Sequence, residues 1–201
     1  MKILFIASLT INPITFSDIF NTLRSASLTD EGVKCTKRLD KLEVSYKSLG
    51  NITDNKCVIK NAVVIKNFPN TKLSSPITVS CSMAEKLEDY FSSINADTVD
   101  HLGSYNCRTI SNSRVISEHS YGEALDISGI NGKSVQKNWN DKDKPFKTAV
   151  KKACNIFSNV LTPDTDRAHY NHIHIDNGIS FGSLNCFHMQ SLSANDLVTS
   201  C

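Results

Sequence analysis

The chain has 201 residues, with 22 Lys and Arg against 20 Asp and Glu, a formal charge of +2, and seven cysteines. That length suits one domain, or one domain with an appendage, and is enough to bury a real core. The near-neutral balance and the scattered basic residues leave no electrostatic footprint for nucleic acid, and the absence of any Cys-x-x-Cys pair argues against a cysteine zinc or thioredoxin-like site.

In chain order, Lys2 precedes the apolar run Ile3–Ala7 and its continuation to Phe20, interrupted by Asn12 and Pro13. The run has the length of an export signal and is too short and broken to span a bilayer. Residues 1–27 are therefore expected to be an export segment, with Ser25-Ala26-Ser27 as a cleavage candidate; a buried N-terminal strand is the alternative. Export places the chain in a periplasm or outside the cell. There, dispersed cysteines favour disulfides, and six of the seven could pair. No other stretch is a transmembrane candidate. Residues 28–188 are expected to form the domain and 189–201 a polar tail.

Leu39, Leu42, Val44 and Tyr46 predict a short helix or turn and then a strand. Asn51–Lys56 predicts a turn, Cys57–Ile65 a β-branched strand, and the Pro-bearing Asn67–Pro76 a loop. Ser82–Asn95 is the clearest helix, with Ser82 and Glu85 as a capping box and Met83, Leu87, Tyr90, Phe91 and Ile94 as a core stripe. Thr98–Tyr105 predicts a strand, and so does the alternating Ala124–Ile130. Asn131-Gly132 is a hairpin turn signal leading into Lys133–Val135. Pro145 suits a first helical position, before a stripe of Phe146, Ala149, Val150, Ala153 and Ile156 or Phe157. Val160-Leu161 is a short strand candidate, and Thr162–Tyr170 is a loop.

Two stretches carry chemistry. Ser117-Glu-His-Ser-Tyr-Gly-Glu-Ala-Leu-Asp126 offers an imidazole and a carboxylate. His172-Ile-His174-Ile-Asp176 alternates, so His172, His174 and Asp176 share one strand face. A catalytic zinc site uses about three His or carboxylate ligands and one open position. His119, Asp126 and His174 fit that set, with zinc chosen by ligand type. The odd spacing of His119 and Asp126 demands a turn between them, for which Gly122 can supply the backbone angle. His172 lies about 6–7 Å from His174 along the strand, a distance for a base or oxyanion donor more than for a ligand. Asp176 could orient a histidine from behind, and His169 is a further second-layer or substrate candidate.

Beyond spacing, Ser117-x-His119-x-x-Gly122-x-Ala124-x-Asp126 followed by His172-x-His174 resembles the metal pattern of zinc D-alanyl-D-alanine peptidases and their lysostaphin-like and hedgehog-like relatives. Gly103-Ser-Tyr-Asn-Cys-Arg108, Ser117-Glu-His119, Ala153-Cys154-x-x-Phe157, His169-x-x-His172-x-His174-x-Asp176 and Cys35-Thr-Lys-Arg-Leu39 are similar to the bacterial extensin-like C-terminal domain family. The resemblance implies an α+β fold with a small antiparallel sheet carrying zinc, packed by a few helices and stapled by disulfides. It implies His119, Asp126 and His174 as ligands, His172 as the catalytic histidine, and Arg108 and Ser117 as substrate contacts. The chain has His172-x-His174 where many of the carboxypeptidases place a Glu base, which leaves the base open. The function implied is an exported zinc peptidase acting on peptidoglycan or cell-wall peptide. The alternative is a metal-stabilised module that binds the wall without catalysis.

Overall fold

The computed structural model describes residues 30–179, apart from 112. The expected export segment, the C-terminal tail, Cys186 and Cys201 lie outside the described residues. The elements run α1 (Asp30–Lys41), β1 (Ser45–Asp54), β2 (Cys57–Asn67), β3 (Lys72–Ser80), α2 (Cys81–Ser93) and β4 (Thr98–Gly103). A 3-10 turn (Glu118–Tyr121) leads to β5 (Ala124–Ile130), β6 (Lys133–Ser134), α3 (Val135–Asn138), α4 (Lys147–Ile156) and β7 (Asn159–Leu161). A second 3-10 turn (Arg167–His169) delivers the chain to β8 (Ile173–Asp176).

The strands form one eight-stranded sheet in the order β1-β2-β3-β4-β5-β8-β7, with β6 paired on β5. The expected α+β class holds, but the sheet is larger than expected and mixed, because β3 and β4 run parallel at Lys72↔Thr98 and Leu73↔Val99. One face is dry. Val63, Ile65, Ile77, Val79, Leu125, Ile127, Ile173 and Ile175 meet Met83, Leu87, Tyr90 and Phe91 of α2 and Ala149, Val150 and Ala153 of α4 in one cluster. Alternation along β5 and β8 therefore sends Asp126, His174 and Asp176 to the opposite face.

Several local expectations are corrected. The segment expected to be a loop over Asn67–Pro76 contains most of β3. Pro76 is tolerated because the parallel ladder to β4 ends at Leu73, so no partner on that side asks for its missing N–H. The turn expected over Asn51–Lys56 shrinks to Asn55 and Lys56, with Asn55 at φ 51°. The cap of α2 is Ser80, whose Oγ accepts from Met83 N at 3.0 Å. Ser82 instead reaches Glu123, and Glu85 pairs with Arg38 at 2.5 Å. α4 begins at Lys147, two residues after Pro145. The Asn131-Gly132 hairpin forms as expected, with both residues at positive φ (51° and 75°).

Disulfides join Cys35 to Cys81, tying α1 to α2, and Cys57 to Cys107, tying β2 to the loop after β4. Cys154 is also disulfide-bonded. Among the described residues no helix is long and apolar enough to cross a membrane.

Candidate metal centre

β5 and β8 are antiparallel neighbours with Asp126 directly opposite His174. The 3-10 turn Glu118–Tyr121 supplies the third group. It ends at Gly122 in the left-handed region, φ 66°, and turns the chain so that His119 folds back over Asp126. A side chain at 122 would put its Cβ 2.9 Å from Ser80 N and 3.0 Å from Ile59 Cγ2. The glycine is thus required by both its angle and its surroundings.

Three atoms converge. His119 Nε2 lies 3.3 Å from His174 Nδ1 and 3.2 Å from Asp126 Oδ1, and His174 Nδ1 lies 2.8 Å from Asp126 Oδ1. Each ring is oriented from behind. His119 Nδ1–H donates to the Ser104 carbonyl, which leaves Nε2 as its lone-pair atom in the neutral ring. His174 Nε2 meets Asp176 Oδ2 at 2.9 Å. Asp176 is itself held by Asn159 Nδ2 and Gly178 N, both at 2.8 Å. A tetrahedral zinc with ligands at about 2.0–2.1 Å needs ligand atoms about 3.3–3.4 Å apart. Two of the three separations match, and the 2.8 Å edge opens by a small rotation of either side chain. The donor set, two imidazole nitrogens and a carboxylate oxygen with both rings anchored behind, fits zinc.

The electrostatics say the same thing. Burial works against charge on Asp126, but the imidazoles of His119 and His174 beside it outweigh burial and hold the carboxyl far below the usual carboxylate range. Burial also opposes charge on His174, yet Asp126 and Asp176 pull it up to about 9. The pocket between these groups therefore favours a positive charge, which a proton or a metal cation can supply. A second group of metal-ligand type, Cys35, Cys81 and Glu85, does not qualify. Its sulfurs are joined in a disulfide, and its carboxylate is held by Arg38.

Around this centre, His172 sits just before β8. Its N–H donates to the His169 carbonyl, and its Nε2 is 3.6 Å from Asp126 Oδ1. Burial pushes its pKa down, against the pull of Asp126. Its Nδ1 is 2.9 Å from Asn171 Oδ1. His169 packs 5.0 Å from the His172 ring and 5.8 Å from the His174 ring, and its Nδ1 is 2.8 Å from Asp166 Oδ1. Arg108 is exposed and its Nη1 donates to the Thr109 carbonyl at 3.3 Å. Ser117 is buried, its hydroxyl does not cap the turn it precedes, and its N–H holds the Arg108 carbonyl.

Sequence reasoning missed four contributors. Ser104 acts through its backbone, which carries no residue signature. Ser120, fully buried, uses one hydroxyl to accept from Arg108 N and to reach the carbonyls of Asn106 and Arg108. Asn159 comes from a strand distant in sequence. Asp166 had a local signal, because Asp-x-x-His is the pattern of a side chain capping a turn that ends on histidine.

The fold and this cluster define a disulfide-bonded α+β domain with a His–Asp–His group of metal-ligand type on the sheet face opposite the core cluster. Over residues 33–186 the chain matches the family described as extensin-like protein C-terminus, and it belongs to that family. No curated protein and no solved structure matches it.

Proposed function

We propose that this chain is an exported zinc-dependent peptidase that hydrolyses amide bonds in peptidoglycan peptides. One observation carries the reading: single ligand atoms of His119, Asp126 and His174 lie within 4.8 Å of one another. Zinc held there supplies a Lewis acid and lowers the pKa of water towards neutrality.

The remaining steps belong to the chain. With its Nδ1–H donating to Asn171, His172 presents a lone pair at Nε2 beside Asp126. Burial favours the neutral ring, the form that can take a proton from attacking water and return it to the leaving amine. His169, anchored by Asp166, flanks both rings and limits the approach of substrate. Arg108 can turn from a surface carbonyl to a substrate carboxylate at the cost of one exposed hydrogen bond. Ser117 and Ser120 fix the Arg108 backbone to the turn that carries His119.

The test has two arms. Zinc content is compared between wild type and His174→Ala after zinc loading; equal, near-zero content in both refutes the metal. Purified peptidoglycan is then incubated with zinc-loaded wild type and His172→Ala. New muropeptides are expected only with wild type, and none with either protein refutes hydrolysis. A second reading, a metal-stabilised wall-binding module, is favoured by one feature: the cluster links β5, β8 and the Glu118–Tyr121 turn, as a structural staple would. Wall binding unchanged by His172→Ala, without hydrolysis, selects it.

A further inference from the structure

The lysines that read as scattered along the sequence gather in the fold. Residues 133–152 hold seven lysines against two aspartates, a formal excess of five in a chain whose whole excess is +2. On α4, Ala149, Val150 and Ala153 face the core. Lys147, Lys151 and Lys152 occupy its exposed side, joined by exposed Lys137, Lys142 and Lys144 from the preceding turns. Among the described ion pairs, only Lys133 of the seven has an acidic partner, Asp143 at 2.6 Å. The second acid, Asp141, accepts from the Asn138 amide.

A recess of about 240 Å³ opens on the same face. Ile94, Ile130, Pro145, Phe146 and Ala149 give it an apolar side, and Asn131, Lys133 and Thr148 complete the lining. Trp139 stacks on Phe146 beside it, with ring centroids 6.0 Å apart.

We propose that this face docks on an anionic lipid bilayer, with lysine ammoniums on headgroup phosphates and the recess taking an apolar part of a lipid. Charge complementarity selects an anionic partner. Shape selects a bilayer over a single polyanion strand. Apart from Lys133, the ammoniums spread over the outer side of a helix about 15 Å long and the turns leading into it. The apolar side of the recess adds nothing for a bare phosphate polymer, whereas a basic surface with an apolar contact suits peripheral membrane attachment. The metal cluster lies on the other face of the sheet, so a docked molecule presents it away from the lipid. The docking surface stands whether or not the chain is a peptidase.

The test is sedimentation of the full chain with phosphatidylcholine vesicles and with vesicles that also contain phosphatidylglycerol. The readout is the ratio of the two partition coefficients, which cancels purely apolar binding by the N-terminal residues; the contribution of Lys2 and Arg24 is common to all variants. Wild type is expected to favour the anionic vesicles, and added salt to remove the preference. The triple variant Lys144→Gln, Lys147→Gln, Lys151→Gln is expected to lower that ratio by about 100-fold. A control with the same charge change elsewhere (Lys37→Gln, Lys56→Gln, Lys66→Gln, all exposed) is expected to keep most of it. A wild-type ratio near one overturns the proposal, and so does a control that loses as much as the triple variant. Binding to soluble polyphosphate without vesicle preference also overturns it, and assigns the face to a soluble polyanion.

Discussion

Asp176→Asn tests how the metal centre is oriented. The wild-type carboxylate is buried and meets three N–H groups: His174 Nε2 at 2.9 Å on one oxygen, and Asn159 Nδ2 and Gly178 N at 2.8 Å on the other. These contacts overcome burial and hold its pKa below the ordinary carboxylate range. An asparagine offers one acceptor oxygen and one donor amide. If the oxygen stays with Asn159 and Gly178, the amide faces His174 Nε2 and drives the ring proton to Nδ1, the atom aimed at the metal. If the side chain flips, the amide faces two other donors. Each arrangement strands a buried donor or misplaces a proton, at a cost of about 1–3 kcal/mol. The expected loss in zinc affinity is therefore about 10–100-fold, with the fold retained. Competition against a chromogenic chelator near neutral pH measures it, with circular dichroism as the fold control. An affinity within about twofold of wild type in a folded variant refutes the view that Asp176 sets the tautomer of His174.

In the metal-free protein the raised pKa of His174 predicts a stability that is full below pH 6.5 and falls as pH rises towards about 9, because the folded state binds its proton more tightly than the unfolded chain. Urea midpoints across that range check it, and a midpoint that rises through the window refutes it. Since zinc must displace that proton from Nδ1, loading near neutral pH should release about one proton, seen by calorimetry in buffers of different ionisation heat; no release would sink the assignment of His174 as a ligand. Gly122→Ala should lose at least about 1–2 kcal/mol, from the left-handed backbone angle alone, and weaken zinc binding with it; a wild-type melting temperature would contradict this. Tyr90→Phe should be neutral or stabilising, since the buried Tyr90 hydroxyl has no hydrogen-bond partner among the described residues; a loss above about 1 kcal/mol would mean the hydroxyl has a partner in solution.

Much of the cluster was legible in sequence because its ligands sit on periodic elements. The alternation of β8 put His174 and Asp176 on one face, and the odd spacing of His119 and Asp126 forced a turn at Gly122. What stayed hidden depends on tertiary neighbours. The carbonyl of Ser104 has no side-chain code, and Asn159 reaches Asp176 only because β7 pairs with β8. In the fold, Pro76 argued for a loop, since nothing local reveals that β3 and β4 part company before that residue. Ser82 and Glu85 mimicked a capping box while Ser80 did the capping. The lysines of α3 and α4 looked dispersed until the buried stripe of α4 set them all to one side.

The pairing of Asp126 with His174 across two neighbouring strands would also make a cation held there a gauge of strand alignment. A slip of β8 by one residue against β5 would turn Ile173 and Ile175 to the ligand face and bury His174 and Asp176 in the core. Metal would then find His119 and Asp126 without their third ligand. On the proposed metal binding, only molecules in which β8 has locked in the native alignment would retain the ion, so metal content should count correctly folded molecules, and misaligned ones remain distinguishable by their failure to load.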